Sequence, residues 1–139
     1  MMPDYDEGSL PEEMEGEDRE FAIRFYEAVL ARDPGNTEIL SVLGHLYTSA
    51  GLYEKGLAID QRLVELKRDD PIAHYNLACS YSLLGQIDRS LAALARAIRL
   101  GYRDVDYMMR DPDLKNLSAD PRFHELMSRI RQSYRSTGE

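Results

Sequence analysis

The sequence predicts an all-α fold: a short solenoid of antiparallel helical hairpins, closed at its C-terminal end by further helices. Three observations predict it. Leu43, Gly44, Tyr47 and Gly51 return 34 residues later as Leu77, Ala78, Tyr81 and Gly85, and the register continues through Leu57/Leu91, Ala58/Ala92, Val64/Ile98 and Leu66/Leu100. Within each copy the apolar residues fall at helical spacing, as in Leu40, Leu43, Gly44 and Tyr47. After Gly101 the copy fails and Asp-Pro pairs take over, as expected of a terminal unit whose outer side meets water. A helical hairpin of this size cannot bury its apolar stripe alone, so neighbours must stack to close a core.

The elements follow in order. Residues 1–9 are acidic and poor in apolar side chains, so they are expected to be disordered. Ser9-Leu10-Pro11-Glu12 has the pattern of a capping box, which would start a helix near 11 that weakens at Gly16. A firmer helix is predicted over 18–32, with Ala22, Phe25, Tyr26, Val29 and Leu30 on one face, ended by Asp33-Pro34-Gly35-Asn36. It extends the period backwards, since Ala22, Ile23, Val29 and Leu30 precede Gly56, Leu57, Leu63 and Val64 by 34 residues. Helices over 38–49 and 54–67 form one hairpin about Gly51, and helices over 71–83 and 87–100 form the next about Gly85. The apolar stripe of helix 54–67 runs through Leu57, Ala58, Leu63, Val64 and Leu66. Asp70-Pro71 opens helix 71–83 as N-cap and first-turn proline. A short helix over 104–110 with Tyr107 and Met108 apolar, a turn from Asp111-Pro112, and a helix from Asp120-Pro121 to about 135 burying Phe123, Leu126, Met127 and Ile130 make the cap. The organisation is thus an acidic tail over 1–17, repeats over 18–102 (a half repeat 18–36, then 37–70 and 71–102), and capping helices over 103–136.

Composition bounds the function. The net charge of −8 resides in residues 1–20, which hold nine acidic residues against Arg19, while 21–139 balance 16 acids with 16 bases. The folded body therefore lacks the basic surface that nucleic-acid binding needs. No stretch is apolar enough for a membrane span, and the first residues lack the basic and apolar regions of a secretory signal. With the lone Cys79 inside a helix, a reducing cytoplasm is the expected compartment. One cysteine and three histidines without ligand spacing exclude a multi-cysteine zinc site, so neither metal nor cofactor is expected. No phosphate-binding glycine loop or nucleophile elbow occurs, and no titratable groups converge, so no enzymatic activity is expected.

Taken together, Leu40, Leu43, Gly44, Tyr47 and Gly56 in one copy, and His74, Leu77, Ala78, Tyr81, Ser90 and Ala97 in the next, resemble the tetratricopeptide repeat (TPR). Ala22, Tyr26, Leu30 and Pro34 match the second half of a further repeat, and the chain departs from the pattern at Asp60, Leu63, Arg68 and Leu94. The resemblance implies a right-handed α-solenoid and small residues where paired helices cross. It also implies a concave wall built from the first helix of each repeat. Carried onto this chain, that wall consists of Ser41, His45 and Thr48, with Glu38 and Ser49 nearby, and of Ile72, Tyr75, Asn76, Cys79, Ser82 and Leu83. Asn76 matches an asparagine common in the family. The clamp for acidic C-terminal tails also needs a lysine and an asparagine where this chain has Ser41 and His45, so such tails are not expected ligands.

The groove reading is a non-catalytic scaffold or adaptor that binds a peptide or helix of another protein. Tyr75 supports it, because a rigid amphipathic ring binds at low entropic cost. The alternative for the same patch is that Tyr102, Tyr107, Met108 or Met109 of the cap covers it internally. A self-associating structural subunit is the alternative function, since Phe21, Phe25 and Tyr26 belong to a half repeat with no partner helix.

Overall fold

The computed structural model describes residues 15–136, so the expectations of disorder over 1–9 and of a helix start near 11 lie outside the described residues. The chain is built from α1 (Gly16–Arg32), α2 (Thr37–Ser49), α3 (Tyr53–Leu66), α4 (Pro71–Leu83), α5 (Ile87–Arg99), α6 (Val105–Arg110), a 3-10 helix (Pro112–Leu117) and α7 (Pro121–Ser136). No strand occurs among the described residues. The helices pack in chain order: α1 on α2, α2 with α3, α3 on α4, and α4 with α5, while α6, the 3-10 helix and α7 close the far end. Gly16 and Glu17, expected in the tail, already belong to α1.

Local chemistry sets the boundaries. Asn36 caps α2 by accepting from the amides of Glu38 and Ile39, both at 3.1 Å. Asp70 does the same for α4 through Ile72 N at 2.9 Å, with Pro71 in the first turn where no amide is needed. Gly51, Gly85 and Gly101 each have a positive φ, at 76°, 73° and 117°. At each, the next residue's amide reaches back to the helix: Leu52 to Tyr47 O, Gln86 to Tyr81 O and Tyr102 to Ala97 O. These are three copies of one Schellman turn, a conformation that side chains with a Cβ resist.

The hairpins close tightly at the positions where the repeat pattern is small. A Cβ on Gly44 would stand 3.0 Å from Ile59 Cγ2, and one on Gly56 would stand 3.0 Å from Thr48 Oγ1. In the next hairpin Ala78 and Ser90 take these places, and buried Ser90 Oγ donates to Ala78 O at 2.7 Å. The repeated register extends to polar contacts between helices. Tyr47 Oη donates to Glu27 Oε2 at 2.5 Å, and 34 residues on Gln61 Nε2 donates to Tyr81 Oη at 3.3 Å. Burial and the neighbouring carboxylate raise the Tyr47 phenol well above its ordinary value.

Two apolar clusters result. The smaller joins Ile23 to Leu43, Leu46 and Tyr47. The larger runs from Leu77 and Leu94 into Met108, Leu114, Leu117, Phe123, Met127 and Ile130, so the cap supplies much of the main core. Ala58, Leu66 and Tyr107, expected on apolar helix faces, are exposed, and Phe25 is exposed as expected of a half repeat with no partner helix. Leu66 lies at the end of α3. Tyr107 leans toward α4 and stays exposed at the cavity, while Met108 turns into the core. Phe25 stands free because α1 packs on α2 and has no helix on its other side among the described residues.

Gly44→Leu should overpack the α2/α3 crossing against Ile59 and lower stability by about 1–3 kcal/mol, read by urea denaturation. An unchanged midpoint would show that the helices do not meet there.

Candidate concave binding site

Three elements converge on one cavity of about 230 Å³: the inner face of α2, the inner face of α4, and the cap segment from Tyr107 to Asp113. The α2 wall is Ser41, His45 and Thr48, with Ser41 and His45 exposed and Thr48 half-buried. Ser41 Oγ and Thr48 Oγ1 turn back onto the backbone, donating to Thr37 O and Gly44 O at 2.9 and 3.0 Å. The α4 wall presents Asn76, exposed and without a hydrogen bond among the described residues, and half-buried Leu83. These five residues of the predicted wall open onto the cavity.

The other four are placed differently. Tyr75 is 4% exposed and Cys79 is 7% exposed, because the cap lies over them. Tyr102 stacks on Tyr75 with ring centres 4.2 Å apart and planes within 5°, and Tyr107 leans on it at 6.2 Å. Tyr75 Oη donates to Asp111 Oδ2 at 2.5 Å, and Cys79 Sγ approaches the same oxygen at 3.8 Å. Both line the cavity only along their edges. Ser82 is fully buried, with Asn116 Nδ2 donating to its backbone carbonyl at 2.7 Å, so it is no groove residue. Ile72 is 53% exposed but stands outside the cavity, in the first turn of α4. The cap thus covers the centre of the α4 wall, as the alternative reading held for Tyr102 and Tyr107, and leaves the α2 wall open.

The cavity is acidic. Asp60 of α3, Asp111 and Asp113 all border it. Asp60 is buried and accepts from Ser80 Oγ at 2.5 Å. Desolvation raises its carboxyl from 3.8 to about 6, against the opposing pull of the serine hydrogen bond. Burial and the neighbouring Asp111 also raise Asp113, and His45 across the cavity pulls it back. Burial pushes the Cys79 thiol far up, the nearby carboxylates adding to it, so it is the protonated and unreactive form that sits there. Asp111 has a second task. Its other oxygen accepts from Asp113 N at 2.9 Å and caps the 3-10 helix, so one carboxylate ties the cap to α4 and shapes the cap itself.

Sequence reading missed Asp60, Ser80, Asp111 and Asp113. The signal for Asp60 was present, since it is one of the departures from the repeat pattern. Asp111 was read only as a helix cap, and its reach to Tyr75 spans 36 residues. Of the histidines, His45 alone faces the cavity. His74 and His124 each sit at the fourth residue of an Asp-Pro helix and bond the carbonyl six residues back, Arg68 O at 2.8 Å and Ser118 O at 2.6 Å. No group of three or more potential metal ligands occurs among the described residues. No helix among them is long and apolar enough to cross a membrane.

A repeated helical hairpin with small residues at its crossings and a concave wall defines a class of protein-interaction scaffolds. Two family profiles, each described as tetratricopeptide repeat, match residues 14–75 and 72–100. The chain belongs to the tetratricopeptide repeat family. Among curated proteins it is similar to a chloroplastic protein of Arabidopsis thaliana, with 32% identity over 94 residues. That match covers 66% of this chain and 28% of the relative, so the chain spans little more than a quarter of the relative's length. Among solved structures, the crystal structure of MamA matches with a TM-score of 0.68 and 27% identity, over 84% of this chain and 66% of that one.

Two outcomes are expected. Because the Asp60 carboxyl is higher in the fold than in the unfolded chain, its contribution is fully present below about pH 4 and is lost as pH rises through about 6. Between pH 4 and 7 the stability of Asp60→Asn should therefore gain on wild type by up to about 3 kcal/mol, measured by urea denaturation at each pH. Parallel pH curves would contradict a strained carboxylate at that position. Asp111→Ala removes the cap's tie to Tyr75 and should cost about 1–3 kcal/mol, with faster amide exchange over 105–117 than over α2. Uniform exchange in the variant would contradict the tie.

Proposed function

We propose that this protein is a non-catalytic adaptor that receives a peptide or helix of another protein on its concave face. The observation that carries the reading is the open α2 wall opposite a free Asn76. His45, Ser41, Thr48 and Asn76 border a cavity and are not consumed by the core, in a fold whose class works by protein contact. The acidic floor of Asp60, Asp111 and Asp113 favours a partner that brings a lysine or arginine side chain into it. The buried, protonated Cys79 supplies no nucleophile to the same cavity, which supports a binding role over a chemical one.

The test is retention of a partner by wild type and by two groove variants, His45→Arg and Asn76→Arg, with the exposed Arg62→Glu on α3 as control. Loss with both groove variants and retention by the control, at unchanged melting temperatures, is the expected result. Equal retention by all four proteins would exclude the concave face. Variants at Tyr75 or Cys79 are unsuitable probes, because they report on the seat of the cap.

A further inference from the structure

The two ends of the solenoid carry surfaces that match each other. On α1, Phe21 and Phe25 are 66% and 53% exposed, one helical turn apart, with Glu17 and Asp18 a turn before them on the same side. Tyr26 meets Phe25 edge to face, so the exposed ring is held in place. Among the described residues α1 packs chiefly on α2. At the other end, α5 and α7 leave two adjoining depressions of about 350 and 280 Å³ that share Ala95, Leu126 and Arg129. Leu91, Ala95, Ile98 and Leu126 give this groove an apolar floor. Arg99 and Arg103 stand on its rim, and neither guanidinium has an ion pair or hydrogen bond among the described residues.

We propose that this groove receives α1 of a second copy of the chain, with Phe21 and Phe25 on the apolar floor and Glu17 and Asp18 against Arg99 and Arg103. Charge favours this pairing. Two α1 helices packed in parallel would set their acidic first turns together, in addition to the acids that precede them in the sequence. The concave cavity is itself acidic and would repel the same turn. Reach argues against the chain's own groove. From α1 to α5 there are four helix-to-helix steps, each about 8–10 Å, which leaves α1 itself fixed at the opposite end. The contact joins unlike surfaces, so it propagates head to tail into open chains unless a rotation closes a ring.

Sedimentation of the full chain tests this, together with Phe21→Ser/Phe25→Ser and Arg99→Glu/Arg103→Glu. All four side chains are exposed, so both variants should keep the wild-type melting temperature. Wild type should gain mass with concentration and lose that gain at high salt, and each variant alone should stay monomeric. Mixed together, the two variants should form a one-to-one heterodimer, doubling the mass and going no further, because the arginine variant still offers α1 and the phenylalanine variant still offers the groove. A monomeric wild type, association that survives either double substitution, or a mixture that stays monomeric would each overturn the proposal. So would a full chain that associates only after residues 1–14 are removed, since that segment would then be what covers α1.

Discussion

The rest of the structure depends on how closely paired helices approach where a side chain would otherwise stand. Gly44 and Gly56 allow α2 and α3 to touch through Ile59 and Thr48, and Ala78 and Ser90 do the same for α4 and α5. Helix spacing scales with the side chains at a crossing, so equal crossings give equal hairpins. The hairpins stack in chain order, and α2 and α4 come to border one cavity. The polar register follows the same geometry. Glu27 to Tyr47 and Gln61 to Tyr81 are one contact made twice, with the chemistry changed from a carboxylate to an amide.

This repetition explains what was legible in the sequence. Helix boundaries came out within a residue or two wherever a capping aspartate or asparagine, a proline or a positive-φ glycine marked them, as at Asp70-Pro71 and Gly85. Local signals of that kind need no knowledge of the fold. Ser41, His45, Thr48, Asn76 and Leu83, which the family resemblance carried onto the concave wall, border one cavity. What the cap does to that wall was not legible. The contacts of Asp111 with Tyr75 and of Asn116 with Ser82 span more than thirty residues and connect a regular segment to one without a period. No spacing rule predicts such pairs. Leu66 failed for the complementary reason, since helical periodicity marks an apolar face without revealing whether a neighbour exists to cover it.

The cap makes the two walls of the groove different in kind. On α4 the aromatic stack of Tyr75 and Tyr102 and the shared carboxylate of Asp111 convert what would be a contact surface into core. On α2 His45 stays exposed beside the cavity, while Ser41 and Thr48 return their hydroxyls to the backbone. Acidic groups collect at the seam, and burial keeps some of them from ionising at their usual values, Asp60 most of all. A seam of that character costs stability near neutral pH. The large apolar cluster of the cap, from Met108 to Ile130, offsets the cost.

Cys79, the sole cysteine, reports directly on whether the cap seals the α4 wall. The measurement is its reaction with a chromogenic disulfide reagent, comparing the native chain with the chain in denaturant at the same pH. A covered, protonated thiol should react far more slowly in the native state than in the unfolded one. Native labelling as fast as in the denatured chain would mean that α4 lies bare and that the cap does not sit where the account places it.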